Sequence, residues 1–111
     1  MIEEDDMGTN IPSVVVTGYV QVAPNNRDTF IKILQAHIPR VRRKDGCIAY
    51  SFAVDVLDPS VVRMSEVWRD QKALATHLAD DEFQATMKEL AGVEIVARNV
   101  QKYEVSSTTD I

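Results

Sequence analysis

Residues 47–68 read CIAYSFAVDVLDPSVVRMSEVW, and this stretch decides the fold. Ile48, Tyr50, Phe52, Val54 and Val56 alternate with Cys47, Ala49, Ser51, Ala53 and Asp55. Successive side chains of a strand point to opposite faces, so each set shares one face. Leu57-Asp58-Pro59-Ser60 has the composition of a turn. Val61 to Trp68 reads as the next strand, with Val62, Met64, Glu66 and Trp68 on one face. A link this short joins antiparallel neighbours, so the stretch is a β-hairpin. A glutamate on an apolar face must find a partner, because an unpaired buried charge is costly.

Upstream, Ser13 to Val22 holds Val14, Val15, Val16, Thr17, Val20 and Val22. Such β-branched density predicts a strand, with Gly18 marking a bulge or a close backbone approach. Residues 23–26 make a turn, and Asn25 or Asn26 can cap a helix. Phe30, Leu34, Ile38 and Val41 follow at helical spacing, with Ile31 beside them. Pro39 predicts a kink or an early end. Arg40, Arg42, Arg43 and Lys44 crowd that end. They read as solvated cations complementing the helix dipole, or as an anion site. Asp45-Gly46 then turns the chain.

Downstream, Asp70 is a candidate N-cap, and Ala73, Leu74, His77 and Leu78 line one face of a short helix. Asp80-Asp81 can cap a second helix with Phe83, Met87 and Leu90 on its apolar face, and Gly92 interrupts it. The last β-rich segment is best defined over Val100 to Val105. The order is β-α-β-β-α-β, with the second helical region broken in two. That pattern predicts a ferredoxin-like α+β domain over residues 13–106, an antiparallel four-stranded sheet with helices on one face. The other sheet face also carries small and apolar residues. A second copy of the chain packed sheet to sheet would cover it, giving a homodimer.

Composition bounds the function. The chain has 111 residues, enough for one domain, and a net charge of -5. That acidity argues against nucleic-acid binding, which needs a basic face. No apolar run approaches the roughly 18 residues of a membrane span. Residues 1–12 are polar and acidic, unlike a signal peptide, and read as a disordered leader; a cytoplasmic location follows as the default. The single cysteine, Cys47, excludes an intrachain disulfide and reads as a small buried residue. The two histidines, His37 and His77, lie on different helices with no carboxylate spacing around them that would make a metal site.

Gly46, Cys47, Tyr50, Glu66, Trp68, His77 and Phe83 form an ordered series. With its spacing, including the His nine residues after the Trp, the chain resembles the antibiotic biosynthesis monooxygenase (ABM) domain family, including its quinol-monooxygenase-like members. It departs from the family pattern at Asp45, where many members have Pro, and at Glu82, where many have His. The resemblance implies a dimeric α+β barrel and a pocket between sheet and helices. It also implies oxygenation of a small aromatic, quinol-like or polyketide-type substrate with O2 and without flavin, metal or haem, so no cofactor is expected.

Such chemistry needs a base, a dry pocket and a stabilised anion, because the substrate itself supplies the electrons. His77 has the proton affinity for the base, and Glu66 could raise its basicity as a carboxylate partner. Each has a structural alternative: a histidine bonded to a sheet carbonyl, and a glutamate paired with an arginine. Trp68 either stacks on a flat substrate or seals the sheet. Tyr50 either bonds a substrate carbonyl or is a core tyrosine with its hydroxyl at the rim. Phe52, Met64 and Phe83 complete the candidate pocket wall. In a non-catalytic ligand-binding or assembly module of the same fold, the same side chains, with Met87, would fill that space. His37 falls beside the apolar face of the first helix and reads as a boundary histidine, or as one reaching the pocket mouth, and Arg63 reads as an interface or rim cation.

Overall fold

The computed structural model describes residues 13–111, so the expected leader over residues 1–12 lies outside the described residues. The elements are β1 (Val14–Val22), α1 (Arg27–Arg42), β2 (Cys47–Val54), β3 (Val61–Trp68), α2 (Gln71–Ala79), α3 (Asp81–Leu90) and β4 (Ile95–Glu104). The four strands form one sheet in the order β2-β3-β1-β4, antiparallel throughout. This is the ferredoxin-like α+β arrangement, and α1 and α2 pack on β2 and β3.

The strand registers line the inward side chains up in rows across the sheet. Cys47, Trp68, Val14 and Glu104 form one row, and Tyr50, Glu66, Val16 and Lys102 the next. Phe52, Met64, Gly18 and Val100 follow, then Val54, Val62, Val20 and Arg98. The core lies between these rows and the helices. One cluster gathers Val14, Val16, Val41, Tyr50, Trp68, Ala73 and Leu74; the other gathers Val22, Phe30, Leu34, Val62 and Val93.

Several local expectations change. The β2–β3 register shifts between Cys47 and Ala49, leaving Ile48 as the extra residue of a bulge. Cys47 therefore faces the core opposite Trp68, while Ile48 is 47% exposed. Strand β2 ends at Val54, and Val56 stands in solvent within the turn. Asn26 occupies the N-cap position of α1 without capping it; its Oδ1 accepts the backbone N–H of Glu94 at 2.6 Å instead. Helix α1 runs through Pro39 to Arg42. Asp70 and Asp80 cap α2 and α3, accepting from the backbone N–H of Ala73 and Phe83.

Gly18 sits in the third row, where β1 and β4 close up. A Cβ built there would lie 1.9 Å from the carbonyl oxygen of Asn99, and the backbone φ is +157°. Both features exclude a side chain. We predict that Gly18→Ala lowers stability by about 2 kcal/mol or more. Gly92→Ala, whose Cβ meets nothing nearer than 3.5 Å, should stay within about 0.5 kcal/mol of wild type. Urea midpoints of the two variants check this pair.

Candidate active site

Between the sheet and the helices lies a cavity of about 560 Å³, within the usual range for small-molecule sites. Its walls are mostly apolar: Phe30 and Leu34 from α1, Phe52 and Met64 from the sheet, and Phe83 and Met87 from α3. The mouth lies toward β4, where Ile95, Arg98 and Lys102 are exposed together with Leu78 and Met87. Neither α1 nor α2 packs chiefly on β4, so the cavity opens along that edge.

Three polar groups face the cavity from its deep end: His37, Tyr50 and Glu66. His37 is buried on the inner face of α1, and its Nε2 lies 3.1 Å from the Tyr50 hydroxyl. The two rings meet edge to face. Burial, with Arg40 and Lys44 nearby, lowers the His37 pKa, and burial raises that of Tyr50, so both stay neutral near pH 7. Glu66 is 6% exposed. Its Oε1 accepts the indole N–H of Trp68 at 2.9 Å, and among the described residues no other hydrogen bond to its carboxylate is formed. Burial raises its pKa, against a smaller opposing effect of the Trp68 bond.

His77 stands behind this wall. Its ring stacks on Trp68 at 4.9 Å and 25°, and Phe83 closes over it at 4.5 Å. Neither His77 nor Trp68 lines the cavity, and both are fully buried. The Nδ1 of His77 lies 2.8 Å from the Lys44 Nζ, which also bonds Asp80 Oδ2 at 3.2 Å. A lysine ammonium only donates, so Nδ1 accepts and the ring proton sits on Nε2. That Nε2 has no partner within the described protein. Burial, then the charge of Lys44, drives the His77 pKa down to about 4.

The seven candidate residues thus separate. Tyr50, Phe52, Met64, Glu66 and Phe83 share the cavity wall, whereas Trp68 and His77 pack behind it. Glu66 pairs with Trp68, not with His77 or an arginine. The Tyr50 hydroxyl is held inside by His37 instead of reaching the rim. Arg63 pairs with Asp55 on the outer sheet face. Two groups were misread from the sequence. His37 completes the buried stripe Phe30, Leu34, His37, Val41, at the same helical spacing that Ile38 had suggested. Lys44 is no solvated cation; it reaches 33 residues along the chain to His77, which no local signal foretells.

The family model described as antibiotic biosynthesis monooxygenase matches residues 13–89. The chain belongs to that family. Relatives by sequence include "Uncharacterized protein sll1783" of Synechocystis, 29% identical over 96% of this chain and 72% of its own length. "Putative monooxygenase YcnE" of Bacillus subtilis is 27% identical over 64% of this chain and 75% of its own length. The fold is shared with a solved "putative antibiotic biosynthesis monooxygenase from Deinococcus radiodurans", with a TM-score of 0.81 at 21% identity over 88% of this chain and 97% of that one. A conserved protein from Methanosarcina mazei matches at a TM-score of 0.79 and 21% identity, over 89% and 97%. Among the described residues of this ABM chain no helix is long and apolar enough to cross a membrane.

The lowered His77 pKa sets a stability slope. A group depressed on folding contributes stability that is complete above its unfolded value and is lost as pH falls through its folded value. For His77 that window runs from 6.5 down to about 4. We predict that urea midpoints decline across this window as the pH falls. The decline should be shallower in His77→Gln, and shallower again when His37→Gln is added.

Proposed function

We propose that the protein is a cofactor-independent monooxygenase that oxidises a quinol-like or polyketide-type aromatic with O2, as a cytoplasmic homodimer. The observation that carries this reading is a buried carboxylate on the wall of an apolar cavity. Glu66 shares a row with Tyr50, keeps one oxygen free of the Trp68 bond, and is made a stronger base than an ordinary carboxylate by burial. A base of that kind suits removal of a phenolic or enolic proton. Family membership and the monooxygenase name of a relative support the same class.

In this reading Glu66 takes the proton, a role that the sequence alone suggested for His77. The neutral Nε2–H tautomer of His77 has no lone pair to offer, whereas the Glu66 carboxylate does. His77, held by Lys44 and stacked on Trp68, positions the indole that in turn orients Glu66. The Tyr50 hydroxyl, backed by His37, bonds the developing substrate anion. The anion passes one electron to O2, and the substrate radical and superoxide combine to a peroxide. Its O–O bond then breaks with loss of water, leaving one oxygen on the substrate as a carbonyl. The substrate supplies every electron, and the protein supplies the base, the donors and the dry wall.

A non-catalytic ligand-binding or assembly module is the second reading, and one observation favours it: the Nδ1 of His77 is taken by Lys44 and its ring is stacked on Trp68, away from the cavity. Against an assembly module with a filled interior, Phe52, Met64, Phe83 and Met87 line the cavity and leave it open.

Oxygen uptake with a panel of hydroquinones and naphthohydroquinones, in chelator-treated buffer, separates the two. Uptake should exceed autoxidation, fall roughly 100-fold or more in Glu66→Gln, and decline as the pH drops through the raised Glu66 pKa. His77→Gln should cost less than Glu66→Gln. The opposite ranking returns the base role to His77, and absence of uptake from folded protein leaves the binding module.

The homodimer rests on the outer sheet face, where Val15 and Val67 pair directly and Tyr19, Val61 and Ala97 are half-buried. Sedimentation equilibrium should return twice the chain mass of 12.4 kDa. Val67→Asp, opposite Val15 on that face, should return the single mass.

A further inference from the structure

We propose that the ligand of this cavity is an aromatic acid, its carboxylate held by Arg98 at the β4 edge. The inference rests on the reading of the cavity as a ligand site and names the class of ligand.

Arg98 points inward from β4, in the row of Val54, Val62 and Val20, and forms part of the cavity wall. The protein carries 17 carboxylate side chains in 111 residues. Arg27, Arg40 and Arg63 each meet one of them, and Arg69 meets two; among the described residues Arg42 and Arg43, which do not line this cavity, meet none. Among the described residues Arg98 meets none, and its guanidinium makes no side-chain hydrogen bond. It stands instead among apolar neighbours, with Ile95, Val20 and Val100 along the same wall.

A second cation reinforces the first. Lys102 also lines the cavity, and its Nζ bonds the neutral Gln71 Oε1 at 3.2 Å. Of the other titratable groups facing the cavity, His37 and Tyr50 stay neutral, and Glu66 stands at the far, deep end. Gln71 in turn bonds Glu104, which does not line the cavity, so the cavity wall carries two cationic side chains on a protein whose net charge is -5. A guanidinium fork matches a planar carboxylate with two parallel hydrogen bonds, which a neutral quinol cannot accept in the same way.

The spacing suits a fused-ring body. Arg98 and Glu66 lie two strands and four residues apart in the register. At about 4.8 Å per strand and 3.3 Å per residue, their Cα atoms stand roughly 16 Å apart. Side chains reaching inward from both ends leave room for two or three fused rings. The acid group would sit at the mouth and a phenolic hydroxyl at the deep end, with the ligand's negative charge well removed from Glu66.

Calorimetric titration with two redox-inert probes, 2-naphthol and 6-hydroxy-2-naphthoic acid, whose hydroxyl and carboxylate stand at opposite ends of the ring system, tests this without turnover. The wild type should bind the acid at least ten-fold more tightly. Arg98→Gln should abolish that preference while leaving the affinity for 2-naphthol within two-fold. Arg98 is solvent-exposed, and circular dichroism confirms that the variant folds. Equal affinities in the wild type, or a preference that survives Arg98→Gln, overturn the acid class while naphthol binding still supports the cavity as a ligand site. If neither probe binds, both fall together.

Discussion

Register is the constraint on which the site depends. Glu66 pairs with Tyr50 on one side and Val16 on the other, and Trp68 pairs with Cys47 and Val14. A slip of one residue in β3 would turn Met64, Glu66 and Trp68 to the outer face and bring Arg63, Ser65 and Val67 inside. The bulge at Ile48 keeps Cys47 opposite Trp68 while Tyr50 stays opposite Glu66. Gly18 lets β1 and β4 close up beneath the cavity, because a side chain there would strike the Asn99 carbonyl. Four strands thus deliver one ordered wall from a pattern with a period of two.

Polar groups inside an apolar layer need partners, and here they are linked in a chain. Lys44 bonds His77, His77 stacks on Trp68, Trp68 bonds Glu66, and Glu66 faces the cavity. The electrostatics follow from this order. The ammonium beside His77 keeps the imidazole neutral, adding to the effect of burial. The Trp68 N–H only partly offsets the desolvation of Glu66, so its carboxyl remains a weaker acid than usual. A parallel pair, His37 and Tyr50, presents a hydroxyl at the same end of the cavity. The deep end therefore presents a carboxyl and a hydroxyl to the cavity, while Arg98 and Lys102 line it toward the mouth.

The helices explain why a cavity exists at all. Helices α2 and α3 are short, with Asp80 serving as the C-cap of the first and the N-cap of the second. The chain changes direction there, so these two helices cannot cover the sheet as one continuous rod would. Helix α1 is the long element, and it lies over β2. The inner face of β4 is left partly bare, and its Arg98 and Lys102 stand at the opening.

Much of the fold was legible in the sequence. The alternation through β2 and β3, the helical spacing of Phe30, Leu34 and Val41, and the aspartate caps are local signals, because side-chain direction follows from backbone period and caps act within one turn. The membership of Tyr50, Phe52, Met64 and Glu66 in one inward face was readable for the same reason. The Ile48 bulge was not, since a bulge depends on the partner strand. Nor was Lys44 distinguishable from its arginine neighbours, because its partners come from α2 and from the turn between α2 and α3. Sequence by itself determined the element order and which side chains face inward, as these rest on short-range periodicity. Only the tertiary structure decided that Glu66 and Tyr50 face the cavity while His77 and Trp68 stand behind it. Helix placement over the sheet sets the depth of each side chain, and that depends on contacts tens of residues apart.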